Sequence, residues 1–267
     1  MCDIRFADVR DREALCRIWS AVFTEDTPEE RDAFLNTVRL SEECVVACEN
    51  GEPISMAFFM PAVFRVQGTP YAVRYLYAAA TLPAFRGKGI FGNLLKKALV
   101  LLKESGTAAC LLNPAQPSLV GFYERFGFQP TFFSRTLSGS AAGEDVQISP
   151  LSADAFLSLR QRLLPPDRVE WDERMLSYVM SYAQPIRIGE HACALFVKNG
   201  NTLRVLEVLG IPYEESTAVC GALAQYYGCD AFCARIYSKT GDCFGMLVPL
   251  EKDIPIKTAP YMGLAFD

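Results

Sequence analysis

The chain has 267 residues, enough for two domains of ordinary size or one large domain, and 51% of them are hydrophobic. The formal net charge is −5 and no strongly basic run occurs, so we expect no nucleic-acid partner. This charge suits a cationic substrate, although an ordinary solvated surface explains it as well. No signal-peptide core and no apolar run of membrane-spanning length is found, so we expect a cytoplasmic protein without a membrane partner.

Helix caps, hairpin turns and apolar periodicity predict the elements of the first half. One helix follows Asp11 as its cap, a second begins at Thr27-Pro28 in a capping box, and Asn50-Gly51 joins two strands in a hairpin. The predicted strands cover residues 4–6, 44–48, 54–59, 71–81, 107–112 and 131–137, and two further helices cover residues 90–105 and 118–126.

The small residues at 138–143 predict a linker, which divides the chain into domains at residues 1–140 and 145–267. Beyond this linker the order of elements partly repeats that of the first half. The predicted strands there cover residues 146–148, 192–197, 203–209, 231–237 and 246–250, and the predicted helices cover residues 152–164, 171–182 and 217–227.

The ten cysteines lie mostly in apolar segments, and the spacing of Cys44 and Cys48, or of Cys229 and Cys233, matches no zinc or redox motif. We therefore expect reduced thiols and no metal. His191 is the only histidine, which leaves little support for Cys-His or Ser-His-Asp chemistry.

The glycine-rich segment Gly87-Lys-Gly-Ile-Phe-Gly92 lies between a predicted strand and a predicted helix. Such a loop presents unpaired backbone N–H groups at the positive end of a helix dipole, which predicts a site for a phosphate or pyrophosphate. The segment satisfies the dinucleotide pattern G-x-G-x-x-G, but the glycines do not directly follow the strand and no carboxylate ends the next strand. A nucleotide P-loop is excluded, because Gly89 replaces the Ser or Thr of that motif.

Two motifs carry a resemblance to a known family. Arg86-x-x-Gly89, preceded by Thr81-x-Pro83, resembles the cofactor loop of the GNAT superfamily of acetyl-CoA-dependent N-acyltransferases. The segment 113–128, with its Tyr123-x-x-x-Gly-Phe128 pattern, resembles the family's segment after the fifth strand. The resemblance covers residues 1–137 and departs from the family at Phe91, where Gly or Ala is usual.

The resemblance implies an α/β (α+β) fold with a central mixed, mostly antiparallel sheet flanked by helices. The second half resembles a degenerate copy of the same fold. Its corresponding loop, residues 210–216, has one glycine, a proline and two carboxylates that would repel pyrophosphate, so we predict that this half binds no cofactor.

The resemblance also implies acetyl-CoA as co-substrate and assigns residues to it. Backbone N–H groups of the loop would cradle the pyrophosphate, the strand end would pair with the pantetheine arm, and Tyr123 would protonate the leaving thiolate. A solvated turn remains the alternative for Arg86 and Lys88, and a core aromatic for Tyr123. The predicted cofactor-binding residues are Ala79, Ala80, Thr81, Arg86, Gly87, Lys88, Gly89, Ile90, Phe91, Gly92, Asn113, Ser118 and Tyr123.

The general base is the open assignment, because residues 74–76 hold no carboxylate where many GNAT enzymes have one. The apolar segment before Asp267 suggests a tethered chain end, so the Asp267 carboxylates are candidates for base or substrate anchor. A final strand that only closes the second sheet is the alternative. Glu25 and Asp26 are further candidates for binding a cationic acceptor.

The predicted activity is acetyl transfer from acetyl-CoA to a primary amine by direct attack in a ternary complex. The acceptor would be a small-molecule or peptide amine, and the sequence does not indicate an oligomeric state. Two alternatives stay open: a non-catalytic protein that binds or senses acyl-CoA or holds a partner, and a transferase of a longer acyl or aminoacyl group.

Overall fold

The computed structural model describes residues 2–143, 146–251 and 253–266. The helices are α1 Arg12–Val22, α2 Pro28–Thr37, α3 Leu40–Glu43, α4 Ile90–Glu104, α5 Val120–Glu124, α6 Ala153–Leu163, α7 Glu173–Met180 and α8 Ser216–Tyr226. The strands of the first half are β1 Asp3–Phe6, β2 Cys44–Glu49, β3 Glu52–Val66, β4 Thr69–Thr81, β5 Ala109–Leu112 and β6 Gln129–Ser140. Those of the second half are β7 Ile148–Pro150, β8 Arg168–Trp171, β9 Gln184–Ile188, β10 Ala192–Asn199, β11 Thr202–Leu209, β12 Ala231–Ser238 and β13 Asp242–Pro249.

The strands form one mixed sheet in the order β1-β2-β3-β4-β5-β13-β6-β12-β11-β10-β9-β7, with β8 paired to β3. Neighbouring strands are antiparallel except for two parallel pairs, β4 with β5 and β11 with β12. The predicted fold class, a mostly antiparallel sheet flanked by helices, is confirmed. No helix in the described ranges is both long and apolar enough to cross a bilayer.

The two halves of the chain share strands. β13, from the end of the second half, lies between β5 and β6 and pairs with both. β6 in turn continues past β13 and pairs with β12 along residues 133–140. A stable sheet in the first half therefore depends on hydrogen bonds supplied by residues far along the chain.

Local signals in the first half produce the predicted structure in most places. Thr27 Oγ1 accepts a hydrogen bond from the Glu30 N–H at 3.2 Å, and Glu30 Oε2 accepts one from the Thr27 N–H at 2.8 Å, which confirms the capping box. Asn50 and Gly51 both have positive φ, at 51° and 85°, as the predicted hairpin turn requires.

The first helix begins directly after Asp11, as predicted, but the side chain of Asp11 makes no cap bond to it. Asp8 caps a 3₁₀ turn that leads into α1. The Asp11 carboxylate instead pairs with Arg5, at 2.7 Å to Nη1 and 2.9 Å to Nη2, and accepts from the Asp8 N–H at 2.8 Å. A partly buried ion pair therefore takes the place of the expected side-chain cap.

Two expectations in the second half are corrected. The helix predicted over 171–182 is a strand through Trp171, which pairs with β3, followed by α7 with Asp172 as its cap. Residues 138–143 were predicted to be a linker, but they belong to strand β6 as far as Ser140. The chain then packs on α8 so closely that a Cβ at Gly221 would clash with the Ala142 carbonyl oxygen. The sequence reasoning also missed β9.

The apolar segment before residue 267 is buried, as its composition predicted. Tyr261, Met262, Leu264, Ala265 and Phe266 are all buried. The segment forms no strand among its described residues, only an isolated bridge between Tyr261 and Arg168, so the idea that it closes the second sheet as a strand is wrong. Instead it passes beneath the first half of the sheet.

Candidate active site

A cleft opens where β4 and β5 separate. The two strands pair in parallel only as far as Leu76 and Leu112, whereas β4 continues to Thr81. At the same point β4 has a bulge: Ala78 and Ala79 together face Ala57 of β3, and Ala78 has a φ of 46°. A bulge interrupts the hydrogen-bond ladder and redirects the strand, so main-chain polar groups of β4 become available beside the cleft.

The cleft contains a cavity of about 350 Å³. One side is formed by the ends of β4 and β5 together with α5, and the other by α1, the loop after it and the segment that ends at Phe266. The lining side chains on the first side include Leu76, Ala79, Leu112, Asn113, Leu119 and Tyr123, and those on the second side are Trp19, Phe23, Asp26 and Phe266. Tyr75 and Tyr77 of β4 also contribute to the wall.

The glycine-rich loop has the geometry of an anion site. Gly87 and Gly89 both have a φ of 74°, which is unfavourable for residues with a side chain, and nothing lies within 4 Å of a Cβ built at either position. Gly89 precedes the first residue of α4, so the backbone N–H groups of the first turn lack partners within the helix. The open side of this loop can therefore admit a phosphate against the main chain.

The residues around the loop hold its shape. Arg86 Nε donates to the Thr81 carbonyl oxygen at 3.0 Å, and Thr81 Oγ1 lies 2.8 Å from Ser55 Oγ. Lys88 Nζ lies 5.0 Å from the centre of the Phe85 ring. Part of the Arg86 guanidinium thus ties the loop to the end of β4, a contact that the sequence reasoning did not predict.

The aromatic residue at position 91 has a packing explanation. The Phe91 ring stacks on Phe122 of α5, with centroids 5.9 Å apart and an interplanar angle of 23°. Gly92 faces Phe126, whose Cζ would lie 3.2 Å from a Cβ at that position. Ile90, the first residue of α4, is buried in the core. The Phe91 side chain, at a position where the family usually has Gly or Ala, therefore packs the start of α4 against α5. The Phe91 N–H is unaffected.

Tyr123 is buried at the wall of the cavity, with 8% of its surface exposed. Its ring packs edge-on against Phe122 and Phe128, at centroid distances of 5.2 and 5.8 Å. Burial, with a smaller contribution from Cys110, raises the pKa of Tyr123 to about 12. The phenol therefore keeps its proton at neutral pH and can donate a hydrogen bond into the cavity.

Asn113 lies at the end of β5 and lines the cavity. In the amide orientation that satisfies its hydrogen bonds, the Asn113 nitrogen donates to the Phe244 carbonyl oxygen of β13 at 2.8 Å. Ser118 is exposed, outside the cavity wall, with Oγ 3.5 Å from Gln116 Oε1. Ala80 is buried in the core, and its carbonyl oxygen accepts from Ser55 Oγ at 2.9 Å.

Of the two acidic candidates after α1, only Asp26 lines the cavity. Its Oδ2 accepts a hydrogen bond from Trp19 Nε1 at 2.8 Å. Asp26 and Glu25 are both exposed to solvent, so Asp26 stands at the open edge of the cavity. Asp26 is also the only charged side chain among the described residues that form the cavity wall.

Asp267 lies outside the described residues. The residue before it, Phe266, lines the cavity, and its ring packs against Tyr75, Tyr77 and Trp171 at centroid distances of 5.8, 5.9 and 4.8 Å. Trp19, Phe23 and Phe266 were not predicted as site residues. Only the apolar character of the segment before residue 267 pointed toward them.

A buried ion pair holds this segment in place. Arg160 forms two hydrogen bonds to Glu207, at 2.7 and 2.9 Å, and the Tyr261 hydroxyl donates to Glu207 Oε1 at 2.6 Å. Gly263 has a φ of 68°, and a Cβ there would lie 2.5 Å from Glu207 Oε1. Close approach to this carboxylate therefore requires glycine, and the network fixes the chain that leads to Phe266.

The corresponding loop of the second half differs. A 3₁₀ turn that contains Glu214 and Glu215 leads directly into α8. Gly210 has a φ of 83°, and a Cβ at this position would lie 2.5 Å from the His191 carbonyl oxygen. This glycine serves the close packing of two backbones, and the turn after it carries two carboxylates, so the loop lacks the open, basic surface seen at Gly87 and Gly89.

Comparison with known proteins agrees with this geometry. Residues 3–131 match the model of the acetyltransferase (GNAT) domain. No curated protein sequence matches the chain. Among solved structures, a GCN5-related N-acetyltransferase from Anabaena variabilis has a TM-score of 0.73 at 12% identity, over 94% of this chain and 73% of that one.

Two further structures are similar over almost the same length. A GCN5-related N-acetyltransferase from Kribbella flavida has a TM-score of 0.69 at 14% identity, over 94% of this chain and 72% of that one. Eis1 from Mycobacterium abscessus has a TM-score of 0.66 at 15% identity, over 94% of this chain and 74% of that one. At these identities the likeness concerns the fold, and it extends across both halves of the chain.

The diverging parallel strands and the glycine loop before α4 both lie within residues 3–131, the part of the chain that matches the acetyltransferase (GNAT) domain. This part, just under half of the chain, is therefore similar to the GNAT domain of acetyltransferases.

Proposed function

We propose that the protein transfers an acetyl group from acetyl-CoA to a primary amine by direct attack in a ternary complex. The observation that carries this proposal is a single cavity that joins the β4 bulge and Tyr123 on one side to Asp26 on the other. A thioester and an amine can therefore meet in one cleft, which is the positioning that a direct transfer needs.

The glycine loop supports a pyrophosphate-bearing co-substrate. The open space beside Gly87 and Gly89 would admit the pyrophosphate to the main-chain N–H groups that precede and begin α4. Lys88 adds a positive charge at this surface, and Arg86 adds a second one from the guanidinium that also holds Thr81. Ala79 borders the cavity beyond, where a small side chain leaves room for an extended arm.

Bound acetyl-CoA would supply a thioester, whose carbonyl carbon accepts the amine nitrogen while the bond to sulfur breaks. Main-chain N–H groups at Ala78 and Ala79, where the bulge interrupts the ladder, would polarise the thioester carbonyl group. Tyr123 donates a hydrogen bond from its phenol and stabilises, or protonates, the departing thiolate. Asn113 is held by β13 and offers its amide oxygen to the amine.

The proton released by the amine needs an acceptor. Asp26 is the carboxylate on the acceptor side of the cavity. The sequence also places Asp267 directly after Phe266, which lines the cavity, and we retain Asp267 as a second candidate for base or substrate anchor. Asp26→Asn is compared with a variant in which Asp267 is changed to Asn and a few residues are appended after it, which removes both Asp267 carboxylates. The role belongs to the residue whose loss lowers the rate of thiol release.

The test of the function is thiol release from acetyl-CoA with and without amines. We expect slow release from acetyl-CoA alone and faster release with an amine, accompanied by an N-acetylated product in the mass spectrum. Binding of acetyl-CoA without any amine-dependent release would contradict catalysis. It would favour the acyl-CoA-binding alternative, which the absence of a carboxylate at residues 74–76 already suggests.

A further inference from the structure

We infer that the acceptor is a compact primary amine with one positive charge and an aromatic body, such as an arylalkylamine, and that polycationic amines are disfavoured. This inference rests on the proposed function and specifies its substrate class. The observation behind it is the make-up of the acceptor side of the cavity, which combines a row of aromatic rings with a single carboxylate.

The aromatic rings of the acceptor side form a continuous wall. The Trp19 ring lies 5.1 Å from Phe23 and 6.4 Å from Tyr77, and Tyr77 lies 5.9 Å from Phe266. Tyr75 continues the wall, 5.8 Å from Phe266. Aromatic faces attract a cation and also pack well against another ring. A ligand with an ammonium group on an aromatic body satisfies both properties.

The charge of the wall matches one ammonium group. Asp26 supplies the only formal charge among the described residues that line the cavity, and the Trp19 indole N–H fixes its orientation. A second ammonium group would meet no second carboxylate among the described residues of the wall, and losing water without such a partner is costly. A polyamine or an aminoglycoside would therefore have to leave its other charges outside.

The size of the cavity also limits the acceptor. Its volume of about 350 Å³ is near the lower end of the range for small-molecule sites, about 300–1,000 Å³. The acetyl end of the co-substrate must share this space, so only a small body remains for the amine. A single ring with a short alkylamine chain meets this limit.

Calorimetry on the full chain saturated with coenzyme A tests the inference with four probes. They are 2-phenylethylamine, 2-cyclohexylethylamine without the aromatic ring, 2-phenylethanol without the charge, and spermidine with three charges. We expect 2-phenylethylamine to bind about tenfold more tightly than 2-phenylethanol, and several-fold more tightly than 2-cyclohexylethylamine. Tighter binding of spermidine than of 2-phenylethylamine would overturn the inference.

Two variants separate the role of charge from that of structure. Asp26→Asn should weaken 2-phenylethylamine about tenfold and leave 2-phenylethanol unchanged. Glu29→Gln, the same change at an exposed carboxylate of α2, should alter neither probe. Phe266→Leu should reduce the preference for 2-phenylethylamine over 2-cyclohexylethylamine. If Asp26→Asn weakened the binding of 2-phenylethylamine and of 2-phenylethanol equally, Asp26 would act only through the structure of the cavity. That result would overturn its assigned role.

The thiol-release assay with acetyl-CoA, run beside this calorimetry, distinguishes failure of the substrate class from failure of the function. If coenzyme A does not bind, the proposed function itself is wrong. If coenzyme A binds and spermidine or an aminoglycoside, but not 2-phenylethylamine, drives thiol release, the function stands and the arylalkylamine assignment is wrong. Thiol release and product formation with 2-phenylethylamine at the lowest KM of the three amine probes would support both.

Discussion

Replacing Tyr123 by phenylalanine tests the chemical step while preserving the cavity wall. The ring is buried and packs edge-on against Phe122 and Phe128, contacts that phenylalanine can keep. The substitution removes one hydroxyl group and no cofactor-loop contact. We therefore expect lower kcat with an almost unchanged affinity for acetyl-CoA.

The size of this effect follows from the pKa of Tyr123. Burial raises this pKa to about 12, whereas a thiol ordinarily ionises near about 8.5. Complete proton transfer from Tyr123 to a thiolate is thus unfavourable by about 3.5 pKa units on these reference values. The hydroxyl should act mainly as a hydrogen-bond donor, so we expect kcat of the variant to fall about 10- to 100-fold. General acids usually contribute a rate factor of ~10²–10⁴, and the expected loss lies at or below the lower end of that range.

The assay is steady-state thiol release with a saturating amine, together with calorimetry for acetyl-CoA. Tyr226→Phe, at an exposed position on α8, is the matched control and should leave kcat unchanged. Because the pKa of Tyr123 is raised, its ionisation should produce no fall in kcat below about pH 10. Full activity of Tyr123→Phe, or a fall below pH 10 that this variant abolishes, would refute the reasoning.

Three further predictions concern the loop, the second half and the buried ion pair. Gly89→Ala should weaken acetyl-CoA about tenfold by straining a loop residue with positive φ, whereas Gly51→Ala, equally strained in a hairpin, should not change acetyl-CoA affinity. Calorimetry should give one acetyl-CoA per chain, and two would refute the prediction that the second half binds none. Tyr261→Phe, which loses a hydrogen bond to the charged Glu207, should lower the free energy of unfolding in urea by about 1.5–3 kcal/mol. Tyr237→Phe, which loses a hydrogen bond to a neutral carbonyl oxygen, should lower it by only about 0.5–1.5 kcal/mol. Equal losses would contradict a charged partner for Tyr261.

The sequence predicts well what neighbouring residues determine. The Thr27 capping box, the Asn50-Gly51 hairpin and the glycine loop before α4 each follow from a few adjacent residues, and the structure contains all three. The family motifs add the order of strands and helices in the first half. Asp11 shows the limit of such signals, because an ion pair with Arg5 outweighs the cap that its position suggests.

The rest depends on pairing between distant residues, which periodicity does not reveal. β8 pairs with β3 across about a hundred residues, and so Trp171, predicted to begin a helix over 171–182, is instead the last residue of a strand. The insertion of β13 between β5 and β6 fixes Asn113 through Phe244, a contact between the two halves. The acceptor wall likewise combines Trp19 with Phe266, from opposite ends of the chain.

Calorimetric titration of the protein with coenzyme A, beside the Gly89→Ala variant, tests the central claim most directly. We expect one coenzyme A to bind per chain, and we expect its affinity to fall about tenfold when Gly89 is replaced by alanine. A well-folded protein that releases no heat with coenzyme A, or that binds it equally well after Gly89→Ala, would contradict the assignment of this loop as the pyrophosphate site.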